Sequence, residues 1–295
     1  MNSNLKILIR LDAGKKYGLG HLTRNIYLAD KLLFQNITSV FLIKSDDKYF
    51  VNNFLIKRGI TINVHYLKDK LTDTYDLNKI FKITRSLKIN SIIVDHYQVS
   101  MKYFKSIKSK NITLINYDVF LKKNLYTDMI INSNIGFEEA NYLKKYNKNA
   151  IKCIGSKYLI INPELKKTHV KNIIKNKILI SFGGGEYPLK IQTLIDKITN
   201  NFDYEFIVFS NDTKVKKIDK ANTKIYSDNI DYNLLLSEVR FAIVSGGTSS
   251  QELAFLNIPM FIYPFNLNHK KTALGLLKNQ LAIKVNYYQC IDINY

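Results

Sequence analysis

Within the first 25 residues, Arg10, Asp12, Gly14, Gly18, Gly20 and His21 fall between an apolar run, Lys6–Ile9, and a stretch with helical spacing, Leu22–Phe34, that carries Arg24 in its first turn. Glycines let a backbone approach a ligand closely, and a helix N-terminus behind them offers N–H groups to an anion. Binding of a phosphate or a sugar is the chemistry such a loop can do. The spacing is neither a dinucleotide fingerprint nor a Walker loop, so the weight rests on His21 at the expected helix N-terminus. The positive end of a helix favours a neutral imidazole, the form that accepts a proton, while a bound diphosphate opposes that preference. A general base is the role expected of His21. Asp12 either orients the imidazole or pairs with Arg10 or Arg24.

Three further groups carry chemistry. Asp95-His96-Tyr97 follows the apolar run Ser91–Val94, and a tyrosine hydroxyl at a strand end needs a hydrogen-bond partner, which substrate or water can supply. Gly183 and Gly184 follow a run at Lys177–Ile180. Gly246 and Gly247 follow another at Phe241–Val244 and lead into Thr248, Ser249 and Glu252. Amides opening a helix at Thr248 can hold a diphosphate, and Glu252, one turn in, can accept hydrogen bonds from a ribose diol. The structural alternatives are a strand-end turn at Tyr97, tight loops at the glycines, and a Glu252 that merely complements the helix dipole.

These side chains meet only if the elements around them deliver them to one edge. Short β-branched runs at Lys6–Ile9, Ser39–Ile43, Thr61–Val64, Ser91–Val94, Ile112–Ile115 and Asp128–Ile131 alternate with helical stretches such as Leu22–Phe34 and Leu77–Leu87. That alternation is the βαβ pattern of a doubly wound parallel sheet. It restarts after a polar interval around Asn162–Lys175, with runs at Lys177–Ile180, Glu205–Phe209, Phe241–Val244 and Met260–Tyr263. Pro163 and the lysines behind it suit a linker. The expectation is two Rossmann-like α/β domains, residues 1–160 and 161–295, facing a central cleft at the carboxyl ends of their strands, where ligands of such sheets bind.

The 295 residues carry a formal charge of +20, but the lysines are spread among asparagine and isoleucine rather than clustered. The charge reads as solvated faces, and no nucleic-acid partner is expected. With 46% apolar and 23% charged residues the chain is globular in composition. Cys153 and Cys290 have no metal or redox spacing, and no histidine or carboxylate spacing suggests a metal, so neither metal nor other cofactor is expected. There is no charged-then-apolar leader and no apolar run of about 18 residues, so a monomeric cytoplasmic protein without membrane insertion is expected.

Taken together, Arg10, Asp12, Gly18, Gly20, His21 and Arg24, Asp95-His96-Tyr97, Asp118, Gly155 with Tyr158, Gly183-Gly184, and Gly246-Gly247 with Glu252 resemble the UDP-2,4-diacetamido-2,4,6-trideoxy-β-L-altropyranose hydrolases of pseudaminic acid biosynthesis, relatives of the MurG-like glycosyltransferases. The resemblance runs almost end to end. It implies a GT-B-like fold and hydrolysis of the sugar C1–O bond of a UDP-sugar. His21 would be the base and Tyr97 an active-site residue, with UDP on the C-terminal domain around Glu252. The chain departs from the family pattern at Gly185-Glu186, at Tyr117 where an Asp-Asp pair becomes Tyr117-Asp118, at Asn162, and at Asn268-His269, whose Asn268 is counted among the substrate contacts. The alternatives are a glycosyltransferase of the same architecture and a nucleotide-sugar binder without catalysis.

Overall fold

The first apolar run extends beyond its hydrophobic residues. It forms β1, Leu5–Asp12, and from Ile7 onward every side chain of the strand is buried, Arg10 and Asp12 included. In the computed structural model, which describes residues 5–69, 72–96, 100–117, 126–137, 148–167, 176–183, 189–201, 204–210, 221–226, 232–264 and 267–284, contacts divide the chain into two compact units, Met1–Ile160 and Ile161–Tyr295. Each is built on a parallel sheet.

In the first unit β1 lies beside β2 (Ile37–Ser45) and β4 (Ser91–Asp95), and β3 (Asn63–Lys68), β5 (Thr113–Tyr117), β6 (Met129–Asn132) and β7 (Ile151–Ile154) complete the order β3-β2-β1-β4-β5-β6-β7. The strand order reverses between β1 and β4, which makes their carboxyl ends the topological switch point. Helices α1 (Gly20–Leu33) and α2 (Lys48–Lys57) cover the face that carries Ile7, Ile9, Leu11 and Ile93. The other face, with Leu8, Ile92 and Val94, lies under α3 (Asp73–Ser86) and α4 (Met101–Lys108). Strand side chains alternate between faces, and burying each of these aliphatic groups contributes about 1.5–3 kcal/mol. The same alternation decides where the polar residues at the switch point go. Arg10 and Asp12 follow Leu8, whereas Asp95 follows Ile93 to the α1 side.

Side chains cap three helices. Asp47 accepts from the Phe50 amide (2.9 Å) at α2, Thr72 from Tyr75 (3.5 Å) at α3 and Ser100 from Tyr103 (3.2 Å) at α4. By contrast α1, whose cap is Leu19, has no side-chain cap bond.

In the second unit β8 (Lys177–Ser181), β9 (Glu205–Phe209), β10 (Thr223–Tyr226), β11 (Val239–Val244), β12 (Met260–Ile262) and β13 (Ile283–Lys284) form a sheet of order β10-β9-β8-β11-β12-β13. Its helices are α5 (Leu189–Asn201), α6 (Tyr232–Glu238), α7 (Thr248–Phe255) and α8 (Leu267–Lys278). Helix α7 begins after Gly247 and likewise has no side-chain cap bond.

The strands with no counterpart in the sequence pattern are all at sheet edges. β7, β10 and β13 were not expected, and β3 spans Asn63–Lys68 where Thr61–Val64 was expected. An edge strand is open to solvent on one side, so its sequence need not be a continuous apolar run, and β13 is exposed throughout. Of the expected linker, Pro163–Lys167 forms a short 3-10 turn and residues 168–175 lie outside the described residues. Among the described residues no helix is long and apolar enough to cross a membrane.

Candidate functional site

On the α1 face of the switch point, the fully buried Asp95 carboxylate collects donors from one helix. His21 Nδ1 lies 2.7 Å from Asp95 Oδ1, Arg24 Nε donates to Oδ2 at 2.7 Å, and Asn25 Nδ2 donates to Oδ2 at 2.5 Å. A further bond runs from Arg24 Nη2 to Oδ1. Residues three and four positions apart share a helix face, which is why His21, Arg24 and Asn25 reach one acceptor. Asn25 Nδ2 also donates to the His21 carbonyl, 2.8 Å away, at the start of the helix. Four donors match the accepting capacity of a carboxylate. Burial alone works against the Asp95 anion, but the Arg24 guanidinium and His21 overcome it and hold its carboxyl below the usual carboxylate range.

Arg24 Nη2 also approaches His21 Nδ1 at 3.0 Å, so two protons compete for the space between the rings and the acid. The carboxylate oxygen is nearer and is the stronger acceptor. The hydrogen bonding therefore assigns the Nδ1 proton of His21 to Asp95, with the lone pair on Nε2. Over the other side of Arg24 lies the Tyr117 ring, 4.0 Å from the guanidinium carbon, and the Tyr117 hydroxyl shares a 2.7 Å hydrogen bond with Ser133 Oγ.

The opposite face holds a second buried cluster. Arg10 Nε donates to Asp76 at 2.8 Å, Nη2 lies 2.7 Å from the same carboxylate, and Nη1 donates to Asp12 at 2.7 Å and to the Leu11 carbonyl at 2.6 Å. Tyr103 adds a hydrogen bond to Asp76 at 3.2 Å. Desolvation opposes the Arg10 charge, but Asp76 and Asp12 outweigh it and keep the guanidinium firmly protonated. Asp12 is thus the partner of Arg10, and it is Asp95 that meets the His21 imidazole. His96 packs edge-on to Tyr103 with ring centroids 5.6 Å apart, and burial first, then Arg10, hold its imidazole neutral well below the ordinary histidine range.

The loop between β1 and α1 is folded back on itself. The Gly14 amide donates to the Gly18 carbonyl at 3.2 Å, and the Lys16 amide donates to Asp46 at 3.1 Å. Gly18 takes φ +74°, the left-handed region that favours glycine, and Gly20 is the first residue of α1.

In the second unit Gly183 follows β8 with φ +104°. Gly246 and Gly247 join β11 to α7, and a Cβ on Gly246 would lie 2.1 Å from the His269 carbonyl oxygen, so only glycine lets α8 come this close. A Cβ on Gly247 would lie 3.7 Å from His269 Nε2, and burial pushes that imidazole down to about 4. Thr248 and Ser249 are half-buried at the start of α7, with Glu252 buried one turn on. Ser250 Oγ donates to the Gly247 carbonyl at 2.7 Å.

The structure therefore brings together His21, Arg24 and Asp95, and separately Arg10 with Asp12. Tyr97, Gly184, Asp118 and the side chain of Asn268 lie outside the described residues. Asn25, Asp76, Tyr103 and Ser133 were not singled out from sequence. Asn25 carried a signal, its i+4 spacing from His21, while Asp76 and Ser133 are distant in sequence from Arg10 and Tyr117, the side chains they bind.

No family model matches the chain. An uncharacterised protein of Methanocaldococcus jannaschii is 26% identical over 279 residues, 88% of this chain, which spans about half (55%) of that relative. The UDP-2,4-diacetamido-2,4,6-trideoxy-beta-L-altropyranose hydrolase of Campylobacter jejuni is 20% identical over 292 residues, covering 96% of this chain and 100% of the relative. Among solved structures, Acinetobacter baumannii MurG superposes with a TM-score of 0.59 at 13% identity, over 96% of this chain and 87% of its own. The UDP-GlcNAc 2-epimerase of Methanocaldococcus jannaschii does so with a TM-score of 0.61 at 13% identity, over 97% and 91%. The chain has the fold of these proteins, GT-B-like with two Rossmann-like α/β domains.

Proposed function

We propose that this protein is a nucleotide-sugar hydrolase that cleaves the C1–O bond of a UDP-amino-sugar, of the kind named for the Campylobacter jejuni relative, and releases UDP and free sugar. The observation that carries the reading is the 2.7 Å contact between His21 Nδ1 and the buried Asp95 carboxylate. A histidine held in this way presents Nε2 as a proton acceptor, and the adjacent anion stabilises the imidazolium that forms when it acts. Water gives its proton to Nε2 while its oxygen attacks the anomeric carbon, and the C1–O electron pair departs with the β-phosphate of UDP. Attack from the side opposite the leaving group inverts the anomeric centre. Arg24 keeps Asp95 ionised, Arg10 and Asp12 brace the strand end behind the glycine loop, and Tyr97 is a substrate-side residue. Gly18 and Gly20 let the loop backbone approach the sugar.

UDP is assigned to the second domain, where α7 opens on Gly246, Gly247, Thr248 and Ser249 without a side-chain cap. Uncapped amides at a helix N-terminus favour a diphosphate, and Glu252 is placed to accept from the ribose. Gly183, Gly184 and Asn268 complete the assigned contacts. The protein is read as a cytoplasmic monomer that needs no metal or other cofactor. The likeness to MurG supports a second reading, a transferase in which an acceptor hydroxyl replaces water.

Incubation of the purified protein with candidate UDP-amino-sugars, following UDP and free sugar together, tests the proposal. Equal release of both without acceptor, lipid or membrane is expected. Release of UDP only when an acceptor is added would replace hydrolysis with transfer.

A further inference from the structure

We propose that Tyr117 is a positioning residue for His21, acting through Arg24: its ring holds the guanidinium in the plane from which Arg24 grips Asp95, and Asp95 in turn holds the imidazole. The inference rests on the base assigned to His21 above. Strand β5 runs beside β4, pairing Asn116 with Val94, so Tyr117 follows Asp95 onto the α1 side of the sheet. Its ring lies 4.0 Å from the guanidinium carbon, and its hydroxyl is fixed by Ser133 at 2.7 Å. Tyr117 is 4% exposed, Ser133 3% and Arg24 9%, so the contact is desolvated, the condition in which a cation over an aromatic face is attracted most.

A guanidinium presents its N–H groups at its edge and a weakly hydrated face above and below. Here the edge is spent on Asp95 through Nε and Nη2, and the ring occupies a face. Without the ring, one restraint on the plane in which Arg24 meets Asp95 is lost. Among the described residues, the charged and titratable groups facing His21 include Asp95 on β4, Arg24 on its own helix, and the neutral His96 beyond Asp95. Arg24 lies 3.0 Å from Nδ1 and opposes an imidazolium there, whereas Asp95 favours one. Loosening Arg24 therefore leaves Asp95 as the stronger influence on the imidazole.

The test replaces Tyr117 in the full chain by Phe, by Leu, and by pentafluorophenylalanine, which keeps the ring's shape while reversing its quadrupole. Two readouts are taken: the ¹⁵N NMR titration of the His21 ring, and the pH dependence of kcat and KM for UDP-sugar hydrolysis. Tyr117→Phe keeps the ring face and should stay within about threefold of wild type. The pentafluoro and Leu variants should lose about tenfold in kcat, with KM within about twofold, and move the His21 titration and the acidic limb to higher pH. A pentafluoro variant indistinguishable from Tyr117→Phe in both readouts would overturn the proposal. So would a Phe variant as impaired as Leu, since the hydroxyl rather than the ring would then be the working part. The pentafluoro side chain keeps the core filled if Leu does not fold. The NMR titration needs no substrate, so it judges the coupling even if no UDP-sugar is hydrolysed.

Discussion

Replacing Asp95 by Asn changes almost nothing in shape and removes a carboxylate that His21, Arg24 and Asn25 share. An amide cannot accept four donors, and its NH₂ faces groups that themselves donate. The imidazole responds by presenting its other tautomer, with the lone pair on Nδ1, which removes the acceptor from Nε2. Loss of a positioned base costs about 10²–10⁴ in kcat, and KM should hold because the diphosphate contacts are assigned elsewhere. The stability cost is separate. Arg24, 9% exposed, keeps its charge beside a neutral amide, and breaking a buried ion pair on one side costs about 3–5 kcal/mol. At roughly 2–4 °C per kcal/mol, the melting temperature should fall by about 6–20 °C. The sign with pH follows from Asp95 being held below the usual carboxylate range. Its contribution is present above the unfolded-chain value of about 3.9 and is lost as the pH falls through the lower folded value. The gap between wild type and Asp95→Asn should therefore be widest near neutrality and close in acid. Steady-state kinetics with thermal melts at several pH values check both parts. A variant with near-native kcat, or a melting difference that persists unchanged into strong acid, would refute the reasoning.

His21→Asn should lose a similar 10²–10⁴ in turnover with UDP affinity nearly unchanged, and the double variant with Asp95→Asn should lose little more, as kinetics of the cycle will show. Glu252→Ala should weaken UDP binding by about 1–3 kcal/mol, read by calorimetry, and equal affinity would remove Glu252 from the site. Gly246→Ala, whose Cβ would sit 2.1 Å from the His269 carbonyl, should push α8 away and reduce both thermal stability and UDP affinity. Because burial pushes His269 down to about 4, the unfolded chain binds its proton first, and stability should fall as the pH drops from about 6.5 towards that value. Denaturant titrations of His269→Gln should show a flatter pH dependence over that window.

The interior strands were legible because both their faces are covered, which demands runs such as Ile7, Leu8 and Ile9 or Ile92, Ile93 and Val94. The edges β3, β7, β10 and β13 carry no such demand, and their sequences show no continuous apolar run at the strand. At the site, the glycine loop, His21, Arg24 and Asp95 were visible from residue type and from their place after strands. The partner of His21 was not. Alternation puts Leu11 with Ile9 and Asp12 with Leu8, and pairs Leu11 with Asp95, but it does not say which face α1 covers. Once α1 lies on the face of Ile9 and Leu11, Asp95 is the carboxylate within reach and Asp12 turns to Arg10. Tyr117 stood out only as a departure from the family pattern, and Ser133, which meets it from the neighbouring strand end, had no local spacing to reveal it.

In the proposed reaction water is the nucleophile and the sugar C1–O bond is the one that breaks. Hydrolysis of the UDP-amino-sugar in ¹⁸O-labelled water, with mass analysis of both products, tests it most directly. One label on the C1 hydroxyl of the free sugar, none on UDP, and equal yields of the two are expected. Label in the UDP phosphate would mean P–O cleavage, and UDP released without labelled sugar would mean transfer to an acceptor; either result would rule out hydrolysis at C1.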